Sequence, residues 1–299
     1  MNKTKLTLIS ALAFLGISLC GCKENNTPID FSRYTVGDTT YLLAAGTFPT
    51  SVDHNVLVEE FTGPNCANCP DAASKLVTIE GAHPGRVNVL SLFPSSSTFC
   101  RPLPGYTYDF RSATAEDIAK QIYADRVGSY PAGGIDRVPV SGEMAMGRSL
   151  WDATVTNRLT PCRISIDLKT SYNAAAGKDT IVAKVTYLDS TSVPGNLTIA
   201  IVEDEMHDKQ ESGISIIDDY TFMNVVRETV TPYNGTPLGI DRPLKEAGRV
   251  YKKVFVYKPK TLAAPNPPIN PLNCRVIAFV HGIGPDYTIV QSAQTPLRH

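Results

Sequence analysis

The 299-residue sequence predicts an α/β domain followed by an all-β sandwich. Two observations carry the first half. Val56–Phe61 reads as a strand running into a Gly-Pro turn, and Cys66-Ala67-Asn68-Cys69 then opens a segment of helical periodicity. A change of period carries the second half. From Cys162 onward apolar and polar residues alternate, as in half-buried antiparallel strands, and no strong helical pattern returns. The length suggests two domains, and 42% hydrophobic residues suffice for globular cores. A formal charge of −1 gives no case for nucleic-acid binding, which needs a basic surplus. Five scattered histidines argue against a catalytic zinc site, so no metal and no cofactor are expected.

Residues 1–21 read as an export signal. Lys3 and Lys5 precede an apolar run from Leu6 to Leu19 that is too short to span a bilayer comfortably. The ending resembles a bacterial lipobox, in which Gly21 precedes Cys22, the residue expected to carry the lipid. Several acyl chains would anchor the protein to a membrane without a transmembrane helix. Lys23-Glu24, with no Asp beside the lipid site, resembles the signals that direct lipoproteins to the outer membrane, periplasmic or surface-facing.

Residues 22–50 are a turn-rich tether with an edge strand around Thr39–Ala44. The α/β domain is placed at 51–160. After the strand Val56–Phe61 comes a helix over Ala72–Glu80, with Leu76 and Ile79 at helical spacing, then a strand over Arg86–Phe93. So short a strand–helix–strand unit implies a parallel pair. Pro94–Phe110, with three prolines and Cys100, reads as a surface loop. Thr114-x-x-Asp117 resembles a capping box starting a helix to about Val127. A strand over Ala132–Val140 follows. A helix over Arg148–Leu159, with Leu150, Trp151, Val155 and Leu159 on its apolar side, closes the domain.

The sandwich is placed at 161–299, immunoglobulin-like in outline. Its strands are expected around Ile164–Leu168, Ile181–Tyr187, Leu197–Glu203, Arg249–Tyr257, Cys274–Val280 and Tyr287–Gln291. Pro259–Pro271 reads as a loop, and Tyr220–Arg227 fits either a short helix or a strand. Three lesser features have plain structural readings. Asp204–Asp208 is a solvated turn rather than a cation site, His281–Gly284 a hairpin turn, and Arg227 with Glu228 a surface pair.

The dithiol carries the chemistry. A helix N-terminus offers unpaired N–H groups and partial positive charge, which favour thiolate over thiol. Cys66 is therefore the candidate nucleophile and Cys69 the resolving thiol. The competing reading is a structural disulfide that staples the first helical turn in an oxidising compartment. Of the other cysteines, Cys162 and Cys274 each open a strand of the second domain and are expected to bridge, leaving Cys100 as a lone thiol.

Over residues 51–160 the pattern resembles thioredoxins. The resemblance implies that Glu60, six residues before Cys66, exchanges protons with the dithiol, and that Pro131 is a cis-proline beside it. A simple ion-pair role for Glu60 stays open. Asn65 stands where thioredoxins keep tryptophan, and Tyr130 is bulkier than their residue before the cis-proline. The whole chain resembles the outer-membrane lipoproteins grouped around a 28-kilodalton outer membrane protein of Gram-negative anaerobes. It shares their Glu59-Glu60-Phe61-Thr62-Gly63-x-x-Cys66-x-x-Cys69-Pro70 motif and their domain order. The expected function is thiol–disulfide exchange with envelope or surface proteins. The alternative is a non-enzymatic surface binding protein whose dithiol is structural.

Overall fold

In the computed structural model the described residues are 35–193, 195–261, 264–266 and 268–298. The signal segment, Cys22 and most of the tether lie outside them. The first half holds strands β1 (Thr35–Leu42), β2 (Val52–Asp53), β3 (Val56–Phe61), β4 (Val87–Leu92) and β5 (Ala132–Ile135). Its helices are α1 (Cys69–Ala82), α2 (Ala113–Asp117, continuing as a π-turn over Ile118–Ile122) and α3 (Trp151–Arg158). After these come β6 (Pro161–Cys162), β7 (Ile164–Asn173), β8 (Lys178–Tyr187), β9 (Asn196–Glu203), β10 (Met206–Ser212) and β11 (Ser215–Phe222). The chain ends with β12 (Val225–Thr229), β13 (Thr236–Pro237), β14 (Arg249–Tyr257), β15 (Cys274–His281) and β16 (Ile289–Pro296).

One mixed sheet of eight strands organises the whole, in the order β16-β15-β9-β12-β4-β3-β5, with β13 pairing the start of β9. β3 and β4 run parallel, joined by α1, and β5 lies antiparallel along β3. Every residue of β3 and β4 is buried, as expected of strands covered on both faces. Leu57, Phe61, Leu90 and Leu92 meet Ile118, Ile122 and Tyr123 on one face. On the other, Val56, Val58, Val87 and Val89 meet Leu76 and Ile79 of α1 and Trp151 and Val155 of α3. Farther along that sheet, Ile199, Ile201, Val276 and Val280 pack against Ile181, Ala183, Val185 and Phe255 of a second sheet, β1-β14-β8-β7. The fold is thus β-rich with multiple sheets. Strands from before and after Thr160 share the large sheet, through β12 paired with both β4 and β9.

Several expectations are corrected. Ser112, not Thr114, caps α2: its hydroxyl accepts from Ala115 N–H at 3.1 Å, and the helix ends in the π-turn well before Val127. The strand at Ala132 stops at Ile135, because Asp136 and Arg137 adopt positive φ of 48° and 56°. Leu150 is exposed, although Trp151 and Val155 are core. Of the two readings left open for Tyr220–Arg227 the strand holds, as the end of β11 and the start of β12. Arg227 pairs with Glu203 in the interior instead of with Glu228 at the surface. Pro94–Phe110 is not merely superficial, for Cys100 and Phe110 sit in a buried cluster with Phe93, Met206 and Phe222.

The reversal after β5 returns Arg137 beneath the sheet. Its guanidinium, 1% exposed with its residue, donates to both oxygens of Glu59 at 2.9 and 2.6 Å. The Tyr123 hydroxyl donates to the same carboxylate at 2.6 Å. It has room because Gly134 lies opposite Glu59: a Cβ there would stand 1.8 Å from the hydroxyl. Burial, and then the Glu59 charge, push the phenol well above its ordinary range, so it stays a donor. Arg137→Met strands the buried carboxylate and should cost about 3–5 kcal/mol of stability by urea denaturation. Adding Glu59→Leu should recover a large part of that loss.

Candidate functional site at the Cys66–Cys69 turn

Gly63-Pro64 ends β3 and turns the chain toward α1. Cys66 N–H donates to Gly63 O at 3.1 Å, and Cys69 N–H to Cys66 O at 3.0 Å. The helix starts at Cys69 rather than Cys66, with Asn68 in the N-cap position making no side-chain cap and Pro70 in the first turn. Cys66 and Cys69 are joined as a disulfide with Cα atoms 5.3 Å apart.

Two later segments cover this turn. The β10–β11 hairpin lays Gln210 across it, and the Gln210 amide donates to Gly63 O at 3.2 Å and Cys66 O at 3.1 Å. Backbone bonds from Glu211 N–H to Pro64 O and from Gly213 N–H to Ala67 O add a ladder-like seam. From the other side Asn65 N–H donates to Phe99 O at 3.0 Å. A side chain at Gly63 would sit 2.2 Å from that same Phe99 O, so only glycine permits the approach. As a result both cysteines are buried, Cys66 at 1% and Cys69 at 2% exposure. The candidate nucleophile is thus as sheltered as its partner in this conformation.

The Tyr130–Pro131 bond is cis. Ala132, which follows, pairs with Phe61 at the end of β3 nearest the dithiol turn, so Pro131 sits at that end of the sheet. Between the two Phe99 stacks on Tyr130, their ring centroids 5.1 Å apart.

Beneath the disulfide lies a cavity of about 350 Å³ lined by Cys69, Glu60, Ser91 and Gln210 among others. Glu60 is 3% exposed. Ser91 Oγ donates to its Oε2 at 2.9 Å, while Oε1 has no hydrogen-bond partner among the described residues. No lysine or arginine pairs with it among the described residues. Burial first, and then Glu80, raise its carboxyl to about 7, against the Ser91 bond that lowers it. That value lets the group hold or release a proton near neutrality. Glu60 was legible from sequence; Ser91 and Gln210 were not. A polar residue in each of two adjoining core strands was the one available signal for the Glu60–Ser91 pair. Nothing local marked Gln210.

The other cysteines among the described residues do not bridge. Cys162 Sγ donates to Val290 O near one end of the β15–β16 pair, and Cys274 lies at the other end beside Leu297. Several residues of strand at about 3.3 Å each separate those ends, far beyond the roughly 7 Å that a disulfide spans between Cα atoms. The expected Cys162–Cys274 bond is therefore replaced by two buried free thiols. Cys100 is also free, its Sγ donating to Thr62 O at 3.1 Å, and burial pushes it up to about 12. An inert thiol beside the dithiol is the outcome.

Asp204 and Asp208 are bound inside the protein rather than solvated. Asp204 takes Arg275 on both oxygens, and Asp208 accepts from the N–H groups of Thr107 and Tyr108. His281 is buried, bonded to Thr198 Oγ1 at 2.9 Å, and burial lowers it to about 3, so it is neutral.

Glu60 gives a pH signature. Its folded value lies above the ordinary 4.5, so the native state holds a proton that the unfolded chain loses first. Stability should therefore fall as pH rises from about 4.5 to about 7 and stay low above that. Glu60→Gln removes this loss. By urea denaturation it should match wild type near pH 4 and exceed it at pH 8 by up to roughly 3 kcal/mol.

Comparison with known proteins places the chain. Residues 120–295, more than half of the chain, match the family model described as outer membrane protein Omp28. Among solved structures it is similar to HBP35 of Porphyromonas gingivalis, with 18% identity and a TM-score of 0.62. That match covers 83% of this chain and 76% of the other, and at such identity it concerns the fold. It also matches a domain of the outer membrane lipoprotein Omp28 from Porphyromonas gingivalis, at 14% identity and a TM-score of 0.32, over 46% of this chain and 89% of that one. No curated protein matches. Among the described residues no helix is long and apolar enough to cross a membrane. With more than half its length matched, the chain belongs to the Omp28 family of outer membrane proteins, and its location is the outer membrane.

Proposed function

We propose that this protein is held at the outer membrane by a lipid on Cys22 and exchanges disulfides with envelope or surface proteins through Cys66 and Cys69. The observation that carries the reading is Glu60. A buried carboxyl with one unpartnered oxygen, raised to about 7 and lining a cavity with Cys69, has no structural partner that requires it there. It costs stability, and proton exchange with the dithiol accounts for it. The β3–α1–β4 unit, β5 along β3 and the cis bond at Pro131 support a thioredoxin-like reading of 51–160. The paired sheets of the second half support a sandwich of immunoglobulin-like outline.

In the reductive direction the Cys66 thiolate attacks one sulfur of a client disulfide, and the bonding pair leaves with the client's other sulfur. Glu60 takes the Cys69 proton. The Cys69 thiolate then attacks Cys66 in the mixed disulfide, the client's first sulfur departs, and the Cys66–Cys69 bond closes. The client is reduced by two electrons and the dithiol oxidised by two; the reverse sequence oxidises a client dithiol. A protein client reaches Cys66 only when the hairpin carrying Gln210 lifts away.

A second reading keeps the disulfide as a staple in a surface binding protein, and the near-complete burial of Cys66 favours it. Trapping separates the two. Cys69→Ser should capture mixed disulfides with envelope proteins and Cys66→Ser none, and wild type should precipitate insulin in a turbidity assay where Cys66→Ser does not. Gln210→Ala, which removes two bonds to the turn worth about 1 kcal/mol each, should speed iodoacetamide labelling of reduced Cys66 by about thirtyfold. If neither cysteine mutant captures a client and both lose stability equally, the staple is the correct reading.

A further inference from the structure

The two cysteines of the disulfide have different neighbours. Cys66 is sealed by Gln210 and the seam to β10, and it takes no part in the cavity. Cys69 does line it. Cys69, Ala73, Leu76 and Glu80 fall on one face of α1 at helical spacing and form a wall, with Glu60 and Ser91 opposite. Exposed Ser74, Val77 and Met223 stand among the lining residues, so the cavity reaches the surface. Its size of about 350 Å³ suits a small molecule and excludes a polypeptide.

Its polar groups have a definite sense. The unpartnered Glu60 Oε1 belongs to a side chain almost wholly buried, and it accepts a hydrogen bond when the carboxyl is ionised and donates one when it is protonated. Arg275, the cation among the lining residues, is already held by both oxygens of Asp204. Glu60 and Glu80 thus give the cavity a negative bias, which disfavours an anionic guest.

We propose that this cavity admits small uncharged or cationic thiols, which reduce the disulfide by attack on Cys69. The inference rests on the thiol–disulfide reading above and supplies the reductant. The incoming thiol gives its proton to the Glu60 carboxylate, and its sulfur bonds to Cys69 Sγ. The Cys66–Cys69 bond breaks and its electron pair leaves as the Cys66 thiolate. A second thiolate attacks the guest sulfur of the mixed disulfide, releasing a small-molecule disulfide and the Cys69 thiolate, which recovers the proton from Glu60. Two thiols are oxidised and one disulfide is reduced. Protein clients and small reductants would then approach opposite sulfurs.

The test uses the full oxidised protein in its native state. It is treated briefly with 2-aminoethanethiol or mercaptoacetate at equal thiolate concentration, quenched with iodoacetamide and peptide-mapped. The quench caps the freed Cys66, so the adduct stays where it formed. The expected result is a mixed disulfide on Cys69 with alkylated Cys66, formed at least threefold faster by 2-aminoethanethiol. Ala73→Trp, which fills the wall without touching the chemistry, should slow both reactions tenfold or more, and Glu80→Lys should narrow the preference. An adduct on Cys66, or an unchanged rate in a folded Ala73→Trp protein, overturns the inference and leaves the exchange reading standing. A native disulfide that neither thiol reduces, yet which reduces in urea, overturns both. Should Ala73→Trp fail to fold, adduct mapping on the unaltered chain decides alone.

Discussion

The ion pair between Glu59 and Arg137 is the constraint on which the rest of the architecture depends. Two charged groups with essentially no exposure are tolerated only when they are paired with each other. Satisfying the carboxylate here requires Tyr123 from the π-turn, the glycine at 134 that gives it room, and two successive left-handed residues that turn the chain back under the sheet. Such residues are unfavourable by roughly 1–2 kcal/mol each, and the pair offsets them. Arg137 also lies over the ring of Phe279, 5.4 Å from its centroid, so the cluster joins β3 and β5 to β15 from the far half of the chain. β3 cannot shift without breaking it, and the next residue on β3 is Glu60.

Neighbouring carboxylates therefore meet opposite fates through the alternation of a strand. Glu59 points to the face where a guanidinium waits. Glu60 points to the face with only a serine hydroxyl and empty space. The first contributes to holding the sheet together. The second weakens the protein at neutral pH, its carboxyl raised to about 7 in a cavity that Cys69 also lines. Burial is common to both; the partner decides the role.

Much of this was legible in the residues, within a definite limit. Val56–Phe61, the helix after Cys69, Arg86–Phe93 and the alternating strands of the second half follow local periodicity, and their places hold within a few residues. What local periodicity does not encode is long-range pairing. β12, five residues long and ambiguous in the sequence, inserts between β4 and β9 and makes one sheet where two separate bodies were expected. The same blindness produced the expected Cys162–Cys274 bridge, since strand starts say nothing about which end of a hairpin they occupy. For the site, the resemblance to thioredoxins singled out Glu60 and Pro131; Glu60 lines the cavity with Cys69, and Pro131 lies at the end of β3 nearest the dithiol turn. Gln210 escaped because its role exists only after the hairpin folds across the turn, from 144 residues away.

That separation bears on how the protein comes to be. A chain delivered across a membrane from its N-terminal end presents Cys66 and Cys69 long before Gln210 emerges. Closing a three-residue loop needs no other part of the fold, so the sulfur–sulfur bond can form while the nascent chain is still largely unstructured. Its cover arrives late, with the hairpin. For an interval during biogenesis the dithiol is therefore open to the oxidants and thiols of the envelope, before the hairpin that buries it has been delivered.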